Sequence, residues 1–97
     1  MHAAAIRVEL RIRETRTLKQ KRSAVKSLIA DLRRTFEVSV AEVDHQDLWH
    51  RTTLGVAVVA PQAGHLERVI ILVERFLDNR DDVELLATAV GHIEMQQ

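Results

Sequence analysis

Polar and apolar residues alternate from Ile6 to Ile12: Ile6, Val8, Leu10 and Ile12 are separated by Arg7, Glu9 and Arg11. Successive side chains of a strand point to opposite faces, so this pattern predicts a half-buried first strand. From Leu18 the period lengthens. Val25, Leu28, Ile29 and Leu32 recur at helical spacing and predict a helix of about four turns ending near Arg34, with Thr17 placed to cap it. Val38 to Val43 reads as a second strand whose apolar parity slips by one before Val43, the mark of a bulge or a strand end. Asp44 to Thr52 is polar apart from Leu48 and Trp49, and apolar residues resume from Leu54 to Ala60, so these strands form a hairpin with a long tip. Pro61 and Gly64 punctuate the entry to a second helix, whose buried face is Leu66, Val69, Ile70, Val73, Phe76 and Leu77 and whose end is the polar run Asp78 to Asp82. Val83 to Ile93 predicts a last strand. Val83, Leu85 and Ala87 fall on one parity and Leu86 and Val90 on the other, which leaves its buried face unassigned.

The order is βαββαβ, with no linker, repeat or low-complexity segment, and it predicts a single domain over residues 1–97. Two interleaved βαβ units make an α+β, ferredoxin-like sandwich. Its antiparallel sheet has the strand order 4-1-3-2 and carries both helices on one face.

The chain is 46% hydrophobic and 29% charged, a balance that suits one soluble domain and excludes disorder. Cysteine is absent, which removes disulfides, thiolate metal sites, CxxC redox chemistry and a cysteine nucleophile together. No apolar run approaches the roughly 20 residues of a spanning helix, and Met1 to Ile12 lacks the continuous apolar core of a signal peptide. A cytoplasmic protein with no membrane partner is expected.

The formal net charge is zero but unevenly laid out: residues 1–34 hold 10 Lys and Arg against 3 acids, and residues 35–97 hold 4 against 11. On the first helix Lys19, Arg22, Lys26 and Arg33 collect on one flank in a stripe roughly 21 Å long. On the second, Glu67, Glu74 and Asp78 form an acidic stripe displaced in the same rotational sense. Right-handed crossovers turn both stripes outward, giving a basic shoulder above the second strand and an acidic one above the fourth. Such a basic shoulder is either solvated charge, a contact for phosphates along a nucleic-acid backbone, or one half of a pairing between opposite shoulders.

Thr17-Leu18-Lys19-Gln20-Lys21-Arg22 resembles the S-L-K-x-K-R segment of the YlxP-like bacterial family, a domain of unknown function. Val38 to Val59, VSVAEVDHQDLWHRTTLGVAVV, resembles that family's longest signature, and the likeness extends over nearly the whole chain. Thr17 replaces the more familiar Ser, and either hydroxyl caps a helix. The resemblance implies a ferredoxin-like fold and a gene neighbourhood shared with translation initiation and ribosome maturation, hence a role near the small ribosomal subunit or its RNA. It carries over no catalytic residue.

Among candidate sites, Glu42, Asp44, His45, Asp47 and His50 are the densest polar cluster, but their spacing on a hairpin tip is poor for metal and no metal site is assigned. Trp49, the sole tryptophan, either folds back over the open sheet face or anchors an interface; with His45 it is the candidate partner-binding pair of the tip. Aromatic residues are missing from the outward positions of the central strands, Arg7, Glu9 and Arg11 on the first and Thr53, Gly55, Ala57 and Val59 on the third, so base reading on the sheet is disfavoured. Arg13 and Arg16 precede the first helix without the glycine-rich loop of a phosphatase, and no GxSxG-type nucleophile context occurs. The expectation is therefore a non-enzymatic, cofactor-free accessory protein that binds RNA or a small-subunit ribosomal surface. Its candidate contacts are Arg13, Arg16, Lys19, Lys21, Arg22, Lys26 and Arg33, although Lys21 lies on the apolar side of the helix. The alternative is a regulatory or structural homo-oligomer that binds a small ligand at its sheet face or subunit cleft. A homodimer through the sheet face, where Ala57, Val59 and Leu86 or Val90 are expected, or through an edge strand is expected in either case.

Overall fold

The computed structural model describes residues 1–96. In chain order it contains β1 (His2–Ile12), α1 (Leu18–Thr35), β2 (Ser39–Asp44), β3 (Arg51–Ala60), α2 (Ala63–Asp78) and β4 (Val83–Glu94). The four strands are antiparallel in the order β2-β3-β1-β4, the expected order read from the other edge. Ile6, Val8, Leu10 and Ile12 of β1 and Leu54, Val56 and Val58 of β3 share one core with Val25, Leu28 and Leu32 of α1 and Leu66, Ile70, Val73 and Leu77 of α2. Both helices thus cover the same sheet face, and each fully buried Val, Leu or Ile there contributes about 1.5–3 kcal/mol.

The boundaries differ from the alternation in instructive ways. β1 begins at His2 because Ala3 to Ala5, too small to show an apolar pattern, pair on one side with Ala57 to Val59 and on the other with Gly91 to Ile93. The parity slip before Val43 is a bulge: Glu42 opposes Leu54 and Asp44 opposes Thr53, leaving Val43 over. β3 starts at Arg51, so the tip is shorter than expected and runs from His45 to His50.

A second irregularity explains the ambiguous last strand. Leu10 opposes Leu85 and Glu9 opposes Ala87, so Leu86 is skipped and the parity of β4 inverts there. Val83 and Leu85 face the helices before it; Thr88, Val90 and His92 take that face after it, opposite Val8, Ile6 and Ala4. Val90 is therefore not on the open sheet face, which on β4 carries Ala87, Ala89, Gly91 and Ile93.

The helix ends are tied by Arg80, in the turn after α2. Its guanidinium donates to Asp82 at 2.8 and 2.9 Å and to Asp31 of α1 at 2.9 Å, and sits 5.5 Å from the Phe76 ring, which packs edge-on against Phe36. The hydrogen bond from Arg80 holds Asp31 below its ordinary value of 3.8, with Arg34 adding to the effect, and Arg80 also depresses Asp82. Carboxylates depressed in the folded state contribute stability that is present above their unfolded value and lost as pH falls through the folded one. Arg80→Met should lower Tm by a few degrees at pH 6, a modest effect because these groups meet solvent. That gap should close as pH drops from about 4 toward 2, measured by thermal melts of both proteins across the range. A gap unchanged at low pH would assign the effect to packing on Phe76 instead.

Candidate nucleic-acid interface

β1 passes into α1 through Arg13 to Thr17, and this connection is fixed at each step. The Arg13 N–H donates to the Asp82 carbonyl at 3.0 Å, and Glu14 adopts φ 61°, a left-handed conformation that turns the chain toward the helix. Thr15 is buried and its hydroxyl donates to the Trp49 carbonyl at 2.9 Å, joining the connection to the hairpin tip. Thr17 caps α1 as its sequence position predicts, its Oγ1 accepting from the Gln20 N–H at 3.1 Å, while Gln20 Oε1 accepts from the Arg16 N–H at 2.8 Å.

On this frame Arg13, Arg16, Lys19, Arg22, Lys26 and Arg33 are all exposed. None of them forms an ion pair among the described residues, whereas Arg7, Arg11, Lys21, Arg34 and Arg80 all do. Arg22, Lys26 and Arg33 line a groove of about 470 Å³ between α1 and β2, with Val25, Ile29, Ala30 and Val40 also on its walls. The Arg33 Nη2 donates to the Val40 carbonyl at 2.8 Å, which holds this side chain across the edge of β2. The basic flank lies over β2 as expected, and the acidic flank lies beside β4: Glu67 meets His92 at 3.0 Å, and Glu74 and Asp78 border Leu85.

Lys21 does not belong to this surface. Its side chain is fully buried, and Nζ donates to Glu42 Oε2 at 2.5 Å and to the carbonyls of His45 and Gln46 at 2.9 and 3.4 Å. Glu42 Oε2 also accepts from the Thr52 hydroxyl at 2.6 Å. The apolar-side position of Lys21 is thus literal: the ammonium enters the core and binds the base of the hairpin tip to α1, unavailable to phosphate.

The tip itself has two differently placed candidates. Trp49 is 46% exposed, its ring 5.0 Å from that of His50, so it is accessible to a partner. His45 has φ 61° and its Nδ1 lies 2.8 Å from the Thr53 hydroxyl, which covers Thr53 on the outer sheet face. The polar cluster is dispersed: Glu42 turns inward to Lys21, Asp44 accepts from the His45 N–H at 2.7 Å and lies 3.6 Å from Arg7, and no three metal-binding side chains converge among the described residues.

Arg51 escapes a reading by helix flank alone. It opposes Arg11 across the β1–β3 ladder, has a buried Nε with no hydrogen-bond partner, and forms no ion pair among the described residues. Counting parity back along β3 from Leu54 places it on the outer face beside Arg11, two residues before Arg13, so an unpaired cation stands at that end of the sheet.

The chain that carries this surface matches a family described only as one of unknown function. Residues 3–90 match the family described as "Protein of unknown function (DUF503)", and the chain belongs to it. Within the family, it is 32% identical over 72 residues to the "Uncharacterized protein YlxP" of Bacillus subtilis (strain 168), a match that covers 74% of this chain and 78% of that protein. No helix among the described residues is long and apolar enough to cross a membrane.

Proposed function

We propose that this protein is a non-enzymatic accessory factor that binds the phosphate backbone of RNA, on a ribosomal small-subunit surface, through the α1 flank. The observation that carries the reading is the concentration of unpaired cations. Arg13, Arg16, Lys19, Arg22, Lys26 and Arg33 are exposed along one flank without a carboxylate partner among the described residues, whereas Arg7, Arg11, Lys21, Arg34 and Arg80 are ion-paired and the remaining unpaired cations, Arg51, Arg68 and Arg75, lie on other elements. Cations arranged along one helix match phosphates spaced along a strand and release counterions on binding. With no aromatic residue on the outer face of β1 or β3, recognition rests on charge and shape, with Trp49 and Arg51 at the end of the stripe as the available stacking and bridging groups. The small subunit is the first target to test because the family resemblance implies a gene neighbourhood concerned with translation.

The test is sedimentation of the tagged protein with ribosomal subunits through gradients at low and moderate salt, beside the Arg22→Glu, Lys26→Glu variant. If about five phosphates are contacted, affinity should fall roughly 100-fold between about 50 and 200 mM salt. The double reversal removes two contacts and adds repulsion, and should weaken binding by a similar factor at the lower salt. A folded variant that still comigrates with the small subunit would sink the assignment of this flank.

A further inference from the structure

The two edges of the sheet are treated differently. β2 is short, carries Glu42 and Asp44, is bent by a bulge at Val43, and has Arg33 lying across its Val40 carbonyl. These are devices that keep an edge from pairing with another chain. β4 has none of them after its early irregularity. It runs for 12 residues, with no proline and no Lys, Arg, Asp or Glu between Glu84 and Glu94, and is exposed from Ala87 onward. Its inner edge is bonded to β1 along its whole length, and Met1 and Met95 continue the ladder by exchanging N–H to carbonyl bonds at 2.9 and 3.0 Å. The strand is held extended while its outer row of backbone donors and acceptors stays open.

Exposed apolar side chains gather beside this edge. Val90 and Ile93 lie on β4, 37% and 62% exposed, and Ile71 and Leu72 lie on the outer surface of α2, 47% and 42% exposed. The contact between His92 and Glu67 gives the alignment of the two elements. Four residues along α2 from Glu67 is about 6 Å and reaches Ile71; two residues back along β4 from His92 is about 6.7 Å and reaches Val90. Ile71 and Val90 are therefore level with each other, and a single two-fold axis can pass beside both.

We infer that β4 pairs antiparallel with β4 of a second copy of this chain about that axis, making one continuous eight-stranded sheet with both α2 helices on the same side. The charge pattern of α2 fits its own two-fold copy. An axis at Ile71 sets Glu67 against the partner's Arg75 and Arg68 against the partner's Glu74, each twice by symmetry, and brings Asp78 to the electropositive N-terminal turn of the partner's helix at Gly64. On the strand, an axis at Val90 sets Thr88 against the partner's His92 and Ala89 against the partner's Gly91, and places no like charges opposite each other. The acidic flank is thus neutralised within the dimer while the basic α1 flanks remain at its two outer ends.

Sedimentation velocity of the intact chain at tens of micromolar should give twice its 11.1 kDa mass. Val90→Lys, which places two ammonium groups at the axis, should give the monomer mass with an unchanged circular dichroism spectrum. Arg75→Glu alone and Glu67→Arg alone should each weaken association on the order of tenfold, since each sets like charges against each other twice. Mixed together, the two variants regain both opposite-charge pairs and should dimerise as the parent chain does. That rescue cannot be produced by a variant that fails to fold. A monomeric parent chain, a dimer indifferent to Val90→Lys, or a mixture no tighter than its separate components would each overturn the inference; the second outcome would move the interface to the open sheet face.

Discussion

Lys21→Met is expected to cost about 3 kcal/mol of folding stability, toward the lower end of the range for breaking a buried ion pair because Glu42 keeps some contact with water. The substitution leaves the Glu42 carboxylate with the Thr52 hydroxyl as its remaining side-chain donor and strips the carbonyls of His45 and Gln46 of theirs. In a domain of this length that loss should lower Tm by roughly 12–24 °C. The companion double variant Lys21→Met, Glu42→Leu should regain most of the loss, because apolar replacement of both partners removes the unpaired charge with the pair. Urea denaturation of parent, single and double variants gives the comparison. A single variant as stable as the parent would mean that the ammonium contributes nothing beyond its own desolvation cost, and a double variant no better than the single would place the loss in the carbonyl contacts.

Leu32→Ala should be comparably damaging for an unrelated reason. Leu32 is fully buried in the last turn of α1, within the core shared by the sheet and both helices, and truncating such a leucine costs about 2.7–5 kcal/mol through lost transfer energy and the cavity left behind. The basic flank of the same helix does not take part in that packing. Leu32→Ala should therefore melt at least about 10 °C below the parent chain and yet retain salt-sensitive RNA binding in the cold. The Arg22→Glu, Lys26→Glu variant should do the reverse, keeping its melting temperature and losing the binding. Parallel loss of both properties in either protein would show that the two faces of α1 are not independent.

The alternation in β1, the 3.6-residue period of both helices and the Thr17 cap were legible in the sequence because each is a local pattern. The βαββαβ order then left few arrangements to consider. Elements whose character comes from pairing were harder to read. Ala3 to Ala5 have no side chains large enough to announce a strand, and the last strand changes faces at Leu86 because of an irregularity opposite Glu9 and Leu10, far away in the chain. The same distinction governs the candidate site. Lys19, Arg22, Lys26 and Arg33 fall on one flank by angle alone. The burial of Lys21 depends on Glu42, and the opposition of Arg51 to Arg11 depends on the register of two strands, neither of which a helical wheel contains.

The central position of β1 also sets a timetable. During synthesis it is made before the other three strands of the sheet, yet its two neighbours, β3 and β4, come from the second half of the chain. At ordinary elongation rates of about 5–20 residues per second, the apolar side of β1 waits several seconds for both of them. Until β2 and the hairpin have followed α1, Lys21 has no carboxylate to meet. A chain stalled before Val83 would hold β1 with one edge open and part of its core uncovered, so interrupted translation should yield a substrate for chaperones and proteases, with no smaller working version of the protein.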